Sequence, residues 1–188
     1  MSGGCLSFLT QGLQQEISSG KIDINEATEI IIQNRKQIWF FIPVMDPVVS
    51  GFGWRKILDK GVVKQKWHSG VDFGSPIGTP VIAIAKGTVV KAWKSPTYGN
   101  VVYINHGAGV QSRYAHGSKL LVKEGDVVQM GQSILISGNT GIVIPPPTPQ
   151  NPASGAHLHF EIRLLVPEND VNGGSEVDPR EFATPLYI

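Results

Sequence analysis

From Gly78 to Gly138 the chain repeats one pattern, a short apolar run followed by a glycine. The runs are Thr79–Ala85, Thr88–Lys94, Asn100–Asn105, Gln111–Ala115 and Ser133–Ser137, with Leu158–Leu164 a sixth further on. Gly87, Gly99, Gly107, Gly109, Gly125, Gly131 and Gly138 fall between them. Runs this short suit strands, and glycine supplies the backbone freedom that tight reversals need. The pattern predicts a mainly β fold, an antiparallel sandwich or barrel.

Before residue 38 the period is helical instead. Asp23 followed by Glu26 is a capping-box spacing, and Ile24, Ala27, Ile30 and Ile31 mark one face. A helix over about 24–37 is expected, with a shorter one over Phe8–Ser18 and a break at Ser18-Ser19-Gly20. The organisation expected is a helical arm, residues 1–37, ahead of a β domain, residues 38–188. A length of 188 residues allows one ordinary domain and such an appendage. Five of the 13 prolines gather between Ile144 and Pro152, which predicts a stiff, extended loop.

Composition excludes several function classes. Sixteen Lys and Arg against 15 Asp and Glu give a net charge of +1, so nucleic acid is not held by a basic excess. The single cysteine, Cys5, rules out a disulfide framework and a multi-cysteine zinc site, and reads as a free thiol. The longest apolar run, Ile38 to Val44, is far short of the ~20 residues that span a bilayer. The first 30 residues show neither a signal peptide nor a lipoprotein pattern.

Five histidines remain, and their spacing carries chemistry. His68-Ser69-Gly70-Val71-Asp72 contains a glycine that argues against a helix, so a looped or extended segment presents His68 and Asp72. In His157-Leu158-His159-Phe160-Glu161, strand alternation puts both histidines on one face and Leu158 and Phe160 on the other, toward the core. A metal centre needs three ligands and an open position for water. His68, Asp72 and one histidine of the pair supply them, leaving the other histidine beside the metal. His116 closes another expected strand and is its candidate partner. Spacing does not choose between His157 and His159 as ligand. Separately, each motif has a plainer account: a lone His-x-x-x-Asp is mostly chance, and the paired histidines could serve copper or nickel. His106, at a strand-to-turn junction, reads as structural. Tyr114, two residues before His116, shares its face by alternation, although a core or rim position is the simpler account.

With these motifs in place the chain resembles the lysostaphin-type (LytM-like) zinc endopeptidases, which cut peptidoglycan cross-links. The resemblance runs from about Pro43 to Ala183. It passes through Val49-Ser50-Gly51-Phe52-Gly53-Trp54-Arg55, His68 to Gly74, Gly78-Thr79-Pro80-Val81, Tyr98-Gly99-Asn100 and Tyr114-Ala115-His116. It continues through Gly125 to Gln132, Gly138-Asn139-Thr140-Gly141 and His157 to Glu161. It implies one Zn2+ held by His68, Asp72 and His159, with His116 and His157 flanking it as catalytic groups, one of them the base. It also implies an antiparallel two-sheet split barrel or sandwich with a groove walled by loops, where Tyr114, Asn139 and Thr140 are candidate substrate contacts. Two departures stand out. A proline-rich insertion, residues 142–154, replaces a shorter family segment and should line one groove wall. The arm over residues 1–37 has no family counterpart, and its isoleucine face suggests docking onto a larger assembly.

The leading expectation is therefore a zinc-dependent endopeptidase acting on peptidoglycan peptides at the bacterial cell wall or periplasm. With no export signal in view, delivery as a phage virion or tail component through residues 1–37 is expected. The competing expectation is a structural or adaptor component that binds wall or a partner without cleaving. The presence of all three ligands and both flanking histidines weighs for the enzyme. A biotinyl or lipoyl carrier, suggested by the Gly125 to Gln132 hairpin signal, lacks the methionine-flanked lysine of a biotin carrier.

Overall fold

The computed structural model describes residues 15–16, 18–23, 26, 42–59, 61–107, 109–165 and 172–182. Most of the expected arm lies outside them. Within it, Asp23 Oδ1 accepts the backbone N–H of Glu26 at 2.8 Å, the N-cap contact that the Asp-x-x-Glu spacing implies.

The expected antiparallel, mainly β architecture is present, without a closed barrel. Numbered along the chain, the strands are β1 (Val48–Ser50), β2 (Gly53–Asp59), β3 (Val62–His68), β4 (Val71–Phe73), β5 (Pro80–Ile82), β6 (Gly87–Ser95) and β7 (Gly99–Asn105). They continue with β8 (Val110–Gly117), β9 (Lys119–Leu120), β10 (Val127–Val128), β11 (Ser133–Ile136), β12 (Leu158–Leu164) and β13 (Ser175–Val177). Among the described residues they form three sheets. The largest runs β1-β4-β12-β8-β7-β6-β10, with β13 pairing β12; β5-β11-β9 form a second sheet, and β2-β3 a separate hairpin. A short helix, Pro179–Phe182, follows β13.

The core lies between the large sheet and β5-β11-β9. Leu158, Phe160 and Ile162 of β12, Tyr114 of β8 and Val102 and Ile104 of β7 pack with Val81, Ile134 and Leu135, all buried. Burying these residues on one face of β12 puts His159, Glu161 and Arg163 on the other. The core therefore fixes the register of the strand that carries the site, since a one-residue slip would exchange the two sets.

The expected strand Leu158–Leu164 coincides with β12, while Thr79–Ala85 shortens to Pro80–Ile82. The hairpin β2-β3 has no counterpart in the expected strands. Most of β3 is solvent-exposed, so its Lys-rich sequence shows no core-facing alternation. Its register is held by cross-strand pairs, including Trp54 opposite Trp67, whose rings meet edge to face at 5.7 Å.

Gly70 shows why His68 and Asp72 are separated by that particular sequence. A Cβ there would lie 2.2 Å from the backbone carbonyl oxygen of Phe160. Only glycine lets β4 approach β12 closely enough to pair Asp72 with His159. Gly70→Ala should destabilise the fold by an amount at the upper end of the ~1–3 kcal/mol typical of overpacking, read by chemical denaturation.

The proline-rich segment departs from the extended loop expected of it. Thr148 and Asn151 exchange backbone hydrogen bonds at 3.1 Å each way, and Thr148 Oγ1 accepts the Asn151 N–H at 3.0 Å. The non-proline residues within the run supply the N–H groups that close a turn, so the segment folds back on itself.

Candidate active site

Three adjacent strands of the large sheet, the end of β3 and one loop bring the site together. His159 on β12 is the direct cross-strand partner of Asp72 on β4 on one side and of Ala115 on β8 on the other. His68 ends β3, and the bend at Ser69-Gly70 returns it beside Asp72. His68 Nε2 lies 3.0 Å from Asp72 Oδ1 and 3.0 Å from His159 Nδ1, and His159 Nδ1 lies 2.8 Å from Asp72 Oδ1. These three buried residues form the candidate metal-binding group among the described residues. Donors bound tetrahedrally at ~2.0–2.1 Å stand about 3.3 Å apart, so the triangle is close to the size a small divalent ion requires.

Outer contacts select the nitrogens that converge. His68 Nδ1–H donates to the Gly51 carbonyl at 2.6 Å, which leaves Nε2 as its lone-pair atom. His159 Nε2–H donates to Glu161 Oε1 at 2.9 Å, which leaves Nδ1. Arg55 Nη1 holds the second Asp72 oxygen at 3.1 Å. The donor set and its tautomers thus fit a metal ion. Electrostatics agree. Burial works against a charged His159, yet its hydrogen bonds to Asp72 and Glu161 push it up to about 9, so positive charge is favoured between the two carboxylates. Burial would likewise raise Asp72, but the adjoining His159 and His68 imidazoles hold it well below the usual carboxylate range.

His116 and His157 stand beside this group. Their rings lie 4.6 Å apart, His116 is 5.9 Å from the His159 ring, and His157 Nε2 is 3.7 Å from Asp72 Oδ1. Each donates Nδ1–H to a backbone carbonyl at 2.8 Å, His116 to Thr140 and His157 to Gly155. Each therefore keeps an Nε2 lone pair, and both residues line the cleft. Burial, aided by the neighbouring His157, pushes His116 down to about 4. Burial also lowers His157, against the pull of Asp72. Both shifts favour the neutral imidazole, whose lone pair can accept a proton.

His116 is the one non-glycine residue with positive φ among the described residues, at 64°. This conformation also corrects the expectation for Tyr114. Strict alternation would give Tyr114 and His116 one face, but the left-handed turn at His116 breaks it. Tyr114 lies fully buried in the core, packed against Phe160, and its hydroxyl accepts the Ile84 N–H at 3.1 Å. It lines no part of the cleft.

The remaining candidates act at one remove. Asn139 Nδ2 donates to the carbonyls of Pro152 and Ser154 at 2.8 and 3.0 Å, so it ties down the insertion. Thr140 Oγ1 donates to Gly117 O at 2.7 Å and accepts the Asn100 N–H at 2.9 Å, while its carbonyl orients His116. His106 is structural, as expected: its Nδ1–H donates to Lys86 O at 2.9 Å, and its Nε2 lies 2.7 Å from Ser112 Oγ.

Sequence reasoning gave no role to Glu161, which is fully buried. Its Oε1 accepts from Ser69, Tyr98 and His159 at 2.7, 2.6 and 2.9 Å, and its Oε2 accepts Arg163 Nε at 2.7 Å. The signal was present: Glu161 continues the same-face series 157, 159, 161.

The cleft, about 320 Å³, has the metal-binding group at its floor. The hairpin residues Arg55, Ile57 and Lys66 form one wall, and Tyr98 with Ile142, Val143 and Ile144 form the other. Of the expected insertion, residues 142–154, Ile142 to Ile144 line the cleft. Two imidazoles and a carboxylate converging under an open cleft, with two further imidazoles beside them, have the layout of a metallohydrolase. Residues 66–179, which include all five of these side chains, match the model of Peptidase family M23, and the chain belongs to that family.

Over 118 residues the chain is 42% identical to the peptidoglycan DD-endopeptidase ShyA of Vibrio cholerae, covering 63% of this chain and 25% of that one. It is 36% identical over 140 residues to the DD-carboxypeptidase/endopeptidase Mpg of Neisseria meningitidis, covering 73% and 27%. The catalytic domain of the antimicrobial peptidase lysostaphin from Staphylococcus simulans is similar with a TM-score of 0.56 at 33% identity, over 73% of this chain and 91% of that one. The chain spans about a quarter of the length of these curated relatives. No helix among the described residues is long and apolar enough to cross a membrane.

Proposed function

We propose that this chain is a zinc-dependent endopeptidase that hydrolyses the peptide portion of bacterial peptidoglycan. The observation that carries the reading is the convergence of His68 Nε2, Asp72 Oδ1 and His159 Nδ1 within 3.0 Å of one another beneath an open cleft. Membership of a peptidase family supports the reaction class, and the peptidoglycan endopeptidases among the relatives support the substrate.

His68, Asp72 and His159 are the proposed ligands. Bound there, zinc supplies a Lewis acid for the scissile carbonyl and lowers the pKa of a water toward ~7. The chain's own residues do the rest. Gly51 and Glu161 fix the two ligand imidazoles in the required tautomers. His116 and His157, neutral and with Nε2 exposed to the cleft, take the proton of the attacking water and return it to the leaving amine. The imidazole that has gained the proton also donates to the oxyanion of the tetrahedral intermediate.

His116→Ala and His157→Ala should each lower kcat by about 10²–10⁴-fold, the usual range for a general acid–base group, while metal content stays at the wild-type level. Peptide turnover and elemental analysis on the same preparations check this, and loss of metal in either variant would make that histidine a ligand instead. Release of new amino groups from purified sacculi, stopped by a chelator and restored by zinc, is the test of the reading as a whole.

A further inference from the structure

The two walls of the cleft differ in chemistry. The insertion side presents Ile142 and Ile144, both about two-thirds exposed. The hairpin side presents Arg55 and Lys66, which are direct cross-strand partners on β2 and β3. Side chains of such partners leave Cβ atoms about 4.5–5.5 Å apart on one face, where like charges repel. Nothing in a larger sheet imposes this arrangement, because among the described residues the hairpin is a sheet of its own.

The fold pairs only one of the two cations, Arg55, with a carboxylate that it shares with the imidazoles of the site. Among the described residues Lys66 has no ion pair. Arg55 donates to Ser50 Oγ and Asp72 Oδ2 from Nη1 alone, and no described residue accepts from Nη2. Among the described residues Asp72 is the only carboxylate lining the cleft, and its oxygens are already engaged by Arg55 and the imidazoles. Two adjacent cations with free donors, in a cleft with no spare anion, favour an anion brought by the ligand. Nη1 anchors the guanidinium and Nε is buried, so Nη2 is the donor that Arg55 holds in a fixed place for a ligand carboxylate, beside the Lys66 ammonium.

We propose that Arg55 and Lys66 form a carboxylate subsite, which grips a free carboxylate of the substrate peptide close to the scissile bond. The inference rests on the reading of the chain as a peptidoglycan peptidase and narrows it. The substrate class is a stem peptide whose side-chain or α-carboxylates are unmodified, in preference to amidated stems or to uncharged glycine bridges. Ile142 and Ile144 on the far wall then cover an apolar portion of the same peptide.

The test uses the zinc-loaded chain and two cross-linked muropeptides that are identical except that the stem carboxylates are free in one and amidated in the other. The wild type should favour the free acid by about 10-fold or more in kcat/KM, as expected for a charge-assisted contact, with the difference in KM. Lys66→Gln should remove most of that preference and Lys66→Glu should invert it, and added salt should weaken it. Calorimetric binding of both muropeptides gives a readout that needs no turnover. Equal cleavage of the two forms by the wild type overturns the subsite and leaves the peptidase reading standing. If neither form is cleaved, the peptidase reading fails, and equal or absent calorimetric binding of the two forms then overturns the subsite as well.

Discussion

Asp72→Ala should lose metal binding and peptidase activity together. The carboxylate is the junction of the site: Oδ1 lies 3.0 Å from His68 Nε2, 2.8 Å from His159 Nδ1 and 3.7 Å from His157 Nε2, while Oδ2 takes Arg55 Nη1 at 3.1 Å. Removing it takes away one of the three ligands and the only carboxylate that faces the converging nitrogens of His68 and His159, so a divalent cation is held far more weakly. The fall in metal affinity should exceed the ~10–100-fold that loss of an outer partner usually costs. Asp72→Asn keeps the shape and removes the charge, which separates electrostatics from packing. Elemental analysis and muropeptide turnover on matched preparations read both quantities. A variant that kept its zinc but lost turnover would make Asp72 a substrate or proton contact instead of a ligand.

The second large effect belongs to Glu161. One buried carboxylate accepts from Ser69, Tyr98, His159 and Arg163, and Arg113 Nη1 stands 3.8 Å away. Glu161→Ala leaves those donors behind the sheet face without an acceptor, and breaking a buried pair of this kind costs about 3–5 kcal/mol. Metal affinity should fall by a further ~10–100-fold, because His159 loses the contact that fixes its tautomer. The effect is also pH-dependent. Burial alone would raise the Glu161 carboxyl, but hydrogen bonding to His159, with Arg163 and Tyr98 adding to it, holds the group well below its ordinary 4.5. A carboxyl lowered on folding contributes stability that is fully present above its unfolded value and is lost as pH falls below it. The wild type should therefore lose stability below about pH 4.5, and Glu161→Gln should lose less over the same range. Denaturant titrations at pH 7 and pH 4 compare the two; parallel losses would assign the acid sensitivity to other groups.

The parts of the fold and site legible in the sequence are those written in a local period. Leu158 to Leu164 alternates between core and site residues, so its strand, its faces and the same-side placement of His157 and His159 could all be read directly. The His68 to Asp72 segment was legible because Gly70 forbids a regular helix there, and the structure gives the stronger reason, the Phe160 carbonyl against its Cα. The hairpin β2-β3 was not legible, because a strand pair exposed along most of its length carries no buried face to set a period. Tyr114 takes the simpler of its two accounts, a core position, because the left-handed backbone at His116 interrupts the alternation that would give the two residues one face. Outer contacts such as Thr140 to His116 join residues 24 positions apart through a backbone carbonyl, which no side-chain motif records.

The most direct test of the account is mass spectrometry of sacculi digested by the zinc-loaded chain, by the chelated chain and by Asp72→Ala. The zinc-loaded chain should release muropeptides with new amino termini inside the stem or cross-link peptide, with the glycan uncut, and the other two samples should release none. Intact sacculi after treatment with the zinc-loaded chain would contradict the account. So would the same cleavage products from the chelated chain or from Asp72→Ala.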